Sequence, residues 1–442
     1  MKLKMTKARL DGLILLSLGG VVVLLLLAFL LLKPTPAAMQ DFRVVYYPAR
    51  CLLHHGDPYR ESDVLATYRA EGGEHPSETA ADHQIVIRHI YPPTAFSFTV
   101  PFAMLPWGLA RVVWMMLTAG SLLFAAFLAW DLGADYAPIV SGALIGFLLA
   151  NSEVLIVLGN PSGMVISLCV IAVWCFVRER FVVAGIVGMA IGLLVKPQDA
   201  GLVWLYFLLA GGVYRKRALQ TLLAAVVLGL PGIVLVWRAS PHWMQELHAN
   251  ILAFSVHGGI TDPGPASTAS TGAGMMINLQ TVISSLRDDP HIYNLATWLL
   301  CALPLTVWAL VTAQSRSTPA RTWLALAAIA TLSLLPVYHH LYDAKLLLLT
   351  VPACAMLWAE GGRLGRCALL VNTAAFALTG DVSWTLLLRL LDRLHPMTAG
   401  MPAWTLRAMQ VFPVPLILLA MSIFYAWVYF SRRSKAAAPS PV

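Results

Sequence analysis

Long runs of apolar residues without a single charge constrain this chain more than any other feature of it. The first runs from Gly12 to Leu32, and others follow at about 112–130, 137–151, 162–177, 181–195, 200–213, 218–237, 294–313, 322–338, 346–359, 367–380 and 411–430. A helix needs about 20 such residues to cross a hydrocarbon layer of about 30 Å. No water reaches the backbone there, so each segment must close its own hydrogen bonds as a helix. The pattern predicts an all-α polytopic membrane protein with about twelve transmembrane helices, the shorter ones borrowing flanking residues or lying buried among neighbours. Only 12% of the residues are charged, against about a quarter in soluble domains. The first run is too long for the apolar part of a signal peptide, and no small-residue cleavage site follows it. No internal repeat is visible, which disfavours inverted-repeat transporters.

Orientation follows from lysine and arginine, which favour cytoplasmic loops. With Met1–Asp11 inside, the cytoplasmic turns hold sixteen of the thirty Lys and Arg residues and five acids. Both termini are therefore expected in the cytoplasm. The segments read as 1–32, N-terminus and first helix; 33–111, first exported loop; 112–237, helices two to seven; 238–293, second exported loop; 294–380, helices eight to eleven; 381–410, third exported loop; 411–442, last helix and basic tail. Pro93–Pro106 is apolar but too short to span, so it reads as an interfacial helix. The polar stretches 71–83 and 261–274 read as loop tips. Of the six cysteines only Cys51 is expected outside the membrane, which leaves no disulfide framework. The net charge of +8 is scattered over short loops, so no nucleic-acid partner is expected.

The ionisable residues expected near the outer face are Asp41, Asp57, His89, Glu153, Lys196, Asp199, His339, His340, Asp343 and Lys345. Asp41 heads a stretch whose apolar positions 42, 45, 46, 49, 52 and 53 share one helical face, with Pro48 inside it. It reads either as the cap of that helix or as a catalytic carboxylate. Lys196 closes an apolar run. It is either a snorkelling lysine or the partner of an anion, and a polyprenyl phosphate is the natural anion there. His339 and Asp343 are four residues apart, a helical spacing that brings imidazole and carboxylate together for proton transfer or metal binding. The alternative is an interfacial loop anchored by His and Tyr. Two ligands do not make a metal site and no exported Asp-x-Asp pair is present, so no metal or other cofactor is assigned. No Walker loop, Gly-rich dinucleotide turn or His-Glu-x-x-His helix occurs.

An ordered set of pieces resembles glycosyltransferase family 87, a GT-C class family that includes polyprenol-phosphate-mannose-dependent mannosyltransferases. The set begins with Asp41-Phe42, Tyr46-Tyr47, Ala49, Leu52-Leu53, Gly56 and Pro58-Tyr59, and continues with Tyr91-Pro92-Pro93, Phe96 and Pro101. Gly159-Asn160 stands where the family usually has Gly-Gln. Gly192, Lys196-Pro197, Asn278, Gln280, Pro336, His340 and Tyr342-Asp343 complete it, over roughly residues 10–360. The resemblance implies a first exported loop that acts as catalytic platform, with Asp41 as general base. It also marks Tyr91, Asn278, Gln280, His340, Tyr342 and Asp343 as candidates for the substrate site; His339 joins them by its spacing from Asp343, and Lys196, closing its apolar run, is the candidate for the donor phosphate.

The expected function is transfer of a sugar, mannose first among the options, from a polyprenyl-phosphate-sugar to a lipid or glycan acceptor. The reaction would take place on the exoplasmic side of the cytoplasmic membrane, with inversion. Relatives also transfer arabinofuranose, so the resemblance leaves the sugar open. The rival from another class is a secondary transporter or lipid flippase, which would place charges at the midplane of its spans. A non-catalytic polyprenyl-binding relative is a third possibility.

Overall fold

The structure, a computed structural model, describes residues 6–33, 38–73, 85–259, 261–265, 267, 276–394 and 408–436. The chain begins with α1 (Lys7–Leu32), α2 (Gln40–Leu53), α3 (Glu61–Ala70), α4 (Phe96–Ala103) and α5 (Trp107–Gly133). Then come α6 (Pro138–Ala150), α7 (Glu153–Leu158), α8 (Ser162–Val177), α9 (Val182–Val195), α10 (Pro197–Leu209) and α11 (Gly212–Ala239). The second half holds α12 (Trp243–Phe254), α13 (Gln280–Leu286), α14 (Pro290–Gln314) and α15 (Pro319–Ser333). A 3₁₀ segment, Leu341–Thr350, runs into α16 (Val351–Glu360), followed by α17 (Gly362–Leu378), α18 (Asp381–Leu394) and α19 (Pro413–Ala436). No strand occurs among the described residues.

Local chemistry sets several of the helix starts. Thr6, Asp289 and Thr318 cap α1, α14 and α15, each accepting a backbone N–H two or three residues on. Proline opens α6, α10, α14 and α15, where its missing N–H costs nothing.

Among the described residues, six helical segments are long and apolar enough to cross a membrane: α1, α5, α11, α14, Leu341–Glu360 and Pro413–Arg432. The bent pair α17 and α18, which meet at 75°, would make a seventh. The expected count of about twelve is not confirmed by these lengths. The runs at 137–151, 162–177, 181–195, 200–213 and 322–338 fold into α6, α8, α9, α10 and α15, which are 13 to 16 residues long. At 1.5 Å per residue these are shorter than about 30 Å. Every residue of α15 from Thr322 to Ser333 is buried, as is every residue from Leu341 to Leu357. Uncharged runs in this chain therefore mark enclosure by other helices as much as contact with lipid. The outward faces of α1, α11 and α14 do expose large apolar side chains, among them Leu18, Leu25, Leu223, Val226 and Leu303.

Close approach of α1 and α6 depends on glycine. A Cβ on Gly19 would lie 2.1 Å from the carbonyl oxygen of Gly146, and one on Gly142 would lie 2.0 Å from that of Gly12. Small residues at helix contacts bring backbones together, the main source of attraction where no water is displaced.

Helices α2, α3 and α4 form within the segment read as the first exported loop. Eight residues long, α4 is too short to span, as its bounding prolines predict. Pro48 lies inside α2, which is buried along Phe42, Val45, Tyr46, Ala49 and Leu52 and also at Val44, Tyr47 and Cys51. Phe42 stacks on Trp114 at 4.3 Å and on Trp107 at 5.6 Å, and the Tyr46 hydroxyl donates to the Leu105 carbonyl at 2.8 Å. These contacts fix α2 against the start of α5. Much of the two predicted loop tips (74–83, and 268–274 with 266) lies outside the described residues, as do 395–407 of the third loop and the tail from 437. Ser267, within the second tip, is buried with its hydroxyl donated to Gly259 at 2.9 Å.

Candidate active site

Asp41 owes its position to the turn before it. Met39 adopts a left-handed conformation, φ 67°, and its N–H donates to the Val157 carbonyl at 2.6 Å. The start of α2 is thereby tied to the end of α7. That end is Gly159, with φ 65°, where a Cβ would sit 2.6 Å from Cε of Met39. Only glycine meets both demands. Trp114 donates to the Gly159 carbonyl at 2.8 Å and locks the turn.

The next residue, Asn160, joins the site together. Its Nδ2 donates to Asp41 Oδ2 at 2.7 Å and to the Tyr342 hydroxyl oxygen at 2.9 Å. Its Oδ1 accepts from the backbone N–H of Ser162 at 2.9 Å and from Lys196 Nζ at 3.5 Å. Asp41 is the second residue of α2, and the cap position is Met39, which makes no side-chain capping bond. The cap expected as the alternative role of Asp41 is not formed.

Lys196, between α9 and α10, does not snorkel. Its ammonium is buried, hydrogen-bonded to Ser162 Oγ, 3.4 Å from Asp343 Oδ1 and 3.8 Å from Asp199 Oδ2. It also lies 5.9 Å from the centre of the Tyr342 ring. Part of the anionic partnership expected for this lysine is thus supplied by the chain's own carboxylates.

Asp41, Asn160, Lys196, Tyr91, Tyr338, His340 and Tyr342 line one cavity of about 460 Å³. Its remaining walls are largely apolar, with Val44, Ile85, Ile90, Leu158, Val195, Leu247, Ile251 and Phe254. Pocket volumes of a few hundred Å³, apolar with a few convergent polar groups, suit small ligands or their headgroups.

The segment carrying the two histidines is pinned from outside by the chain around residue 277. Met276 and His340 form an isolated antiparallel bridge, and Ile277 N–H donates to the His339 carbonyl at 2.9 Å. His339 and Asp343 do meet, with Nδ1 3.3 Å from Oδ2, but not on one α-helical face as their spacing suggested. His340 instead caps the 3₁₀ segment, and Asp343 Oδ2 accepts its backbone N–H at 2.8 Å. The His340 ring is hydrogen-bonded to the Tyr338 hydroxyl.

Of the residues named from sequence, Asp41, Lys196, His340, Tyr342 and Tyr91 come together on the cavity. His339 and Asp343 lie directly behind it. Asn278 and Gln280 do not line it; they bond each other at 2.7 Å, and Gln280 donates to Asn294 at 2.5 Å. Asp57 instead turns the chain after α2 by accepting from Tyr59 N–H at 3.0 Å, and His89 pairs with the Val44 carbonyl at 3.0 Å. Glu153 is exposed, and Lys345 donates to the Asn151 carbonyl at 2.6 Å. Sequence reasoning missed Ser162 and Tyr338 and understated Asn160. The signal available was a polar Asn-Pro-Ser break between two apolar runs, where backbone and side chains need partners inside the protein.

Burial pushes the Asp41 carboxyl up from 3.8 to about 6, against the lowering pull of Asn160 and Lys196. The residue as a whole is half-buried and lines the cavity. Burial holds His89 down at about 4, so it is neutral near pH 7.

A carboxylate and an ammonium converge here on a water-accessible cavity with an apolar wall, in a helical membrane protein. Residues 89–337 match the model of glycosyltransferase family 87. The chain belongs to glycosyltransferase family 87. The match spans more than half of its 442 residues and takes in Tyr91, Asn160, Lys196, Asn278 and Gln280, while Asp41 and His339–Asp343 lie outside it. No curated protein matches the chain. As a family 87 protein it is a membrane glycosyltransferase, which uses a sugar donor, an acceptor and the bilayer; nothing supports the transporter or flippase alternative.

Proposed function

We propose that this family 87 enzyme transfers a sugar, mannose first among the options, from a polyprenyl-phosphate-sugar to a lipid or glycan acceptor. The observation that carries the reading is that Asp41 and Lys196 are joined by a single carboxamide, Asn160, at the rim of one cavity. Glycosyl transfer needs a base for the incoming hydroxyl and a cation for the departing phosphate. Asp41 takes the proton of the acceptor hydroxyl as its oxygen bonds to the anomeric carbon. The bond from that carbon to the phosphate oxygen breaks, and polyprenyl phosphate leaves toward the Lys196 ammonium. One direct displacement inverts the anomeric centre. Tyr91, Tyr338, His340 and Tyr342 then surround the sugar and phosphate, and the apolar wall accepts the first prenyl units.

The excess of Lys and Arg on the turns taken as cytoplasmic supports a cavity on the exoplasmic side of the cell membrane, with both termini inside. The test is transfer from radiolabelled polyprenyl-phosphate-mannose to a membrane lipid extract by the purified full chain. Label in an extractable product supports the reading. No transfer from this donor, with transfer from a nucleotide-sugar instead, contradicts it.

A further inference from the structure

Two helices and a capping turn bring Asp199, His339 and Asp343 together immediately behind Lys196. One ligand atom from each of the three lies within 4.8 Å of the others, and all three residues are buried. Asp199 comes from the first turn of α10, which sequence spacing alone does not connect to the histidine segment.

The separations are unusual for hydrogen bonds. His339 Nδ1 is 3.4 Å from Asp199 Oδ1 and 3.3 Å from Asp343 Oδ2. A charged N–H to carboxylate bond closes to about 2.7–2.9 Å, so an N–H shared between the two carboxylates at 3.3 and 3.4 Å makes only weak bonds to both. Ligand atoms at about 2.1 Å from a shared tetrahedral ion are spaced about 3.4 Å apart, which is the separation seen.

The outer oxygens of the two aspartates are occupied. Asp199 Oδ2 accepts from Ser162 Oγ at 2.9 Å, Asp343 Oδ1 lies 2.5 Å from the same hydroxyl, and both face Lys196. The inner oxygen of Asp199, Oδ1, is buried with no hydrogen-bond partner. An unpaired buried carboxylate oxygen is costly.

We propose that Asp199, His339 and Asp343 form a binding site for one divalent cation, with zinc the best match to a ligand set of one imidazole nitrogen and two carboxylate oxygens. The ion supplies the missing partner of Asp199 Oδ1. It neutralises the carboxylates that otherwise hold Lys196, so the ammonium can attract an anion in the cavity. That last consequence rests on the phosphate reading above; the binding of the ion does not.

The test uses the full chain, purified in detergent without a polyhistidine tag, stripped with EDTA, reloaded with zinc and desalted. Metal content should be about one equivalent per chain in the wild type and about tenfold lower in Asp199→Asn and His339→Gln, as expected when a ligand is removed. Asp288→Asn, in the separate cluster of His257, Asp262 and Asp288, should keep the wild-type content. Cobalt loaded into the wild type should give the strong visible absorption of four-coordinate cobalt, a readout that does not depend on any variant folding. A wild type that retains no zinc and shows no such absorption overturns the proposal. So do variants that remain monodisperse and keep the full equivalent. No substrate enters these measurements, so they stand or fall apart from the transfer assay.

Discussion

Asp41 combines two demands that pull its carboxyl in opposite directions. Burial raises its pKa to about 6, while Asn160 and the Lys196 charge favour the ionised form. A general base works best with a pKa near the operating pH. Turnover should therefore rise with pH through a midpoint near 6, falling about tenfold from its plateau at one unit below. A rate flat between pH 5 and 7, measured with saturating donor, would contradict Asp41 as the titrating base. The stability contribution has the opposite sign. Because the folded pKa lies above the ordinary carboxyl value of 3.8, the protonated form is favoured by the fold; that contribution is present below 3.8 and lost as pH rises through about 6. At this scale the sequence was informative about types and poor about partners. Asp41 and Lys196 stand out because a charge beside an apolar run needs a reason. Asn160 and Ser162 do not, since a polar residue at a helix end is ordinary until its contacts are known.

Among the elements, α2 shows how much periodicity can reveal. Its apolar positions were legible, and the first of them, Phe42, stacks on Trp107 and Trp114. Its capping was not, because Met39 starts the helix through a left-handed turn bonded to Val157, a contact more than a hundred residues away. The same applies to His339 and Asp343, whose spacing predicted proximity but whose contact arises from a 3₁₀ cap. The packing of α1 on α6 is a sharper case, since the glycines on both helices are visible but their pairing is not. Gly142→Val should destabilise the enzyme by more than the usual 1–3 kcal/mol or so of overpacking, because its Cβ would meet the Gly12 carbonyl at 2.0 Å. Thermal unfolding in detergent, followed by loss of the monodisperse peak, measures it. An unchanged midpoint would mean that the two helices are not held in this contact.

For the whole molecule, hydropathy identified a helical membrane protein, but its count of about twelve spans is not confirmed by the lengths of the described helices. Uncharged runs also arise where short helices such as α9 and α15 are enclosed by others, and composition does not separate the two environments. Orientation rests on the bias of Lys and Arg. In a chain whose one exposed cysteine among the described residues, Cys367, is replaced by serine, Ser255→Cys should react with an impermeant maleimide in intact cells. Lys216→Cys, in the exposed basic turn at the start of α11, should react only after permeabilisation. The reverse pattern would put the cavity on the cytoplasmic side.

The claim at the centre of this account is that Asp41 removes the acceptor proton in the cavity it shares with Lys196. Asp41→Asn tests it most directly, since the amide keeps the volume and can still accept from Asn160 Nδ2. Steady-state transfer from polyprenyl-phosphate-sugar should drop by about two to four orders of magnitude, the usual worth of a positioned base, with donor binding and thermal stability nearly unchanged. Turnover close to that of the wild type would contradict it.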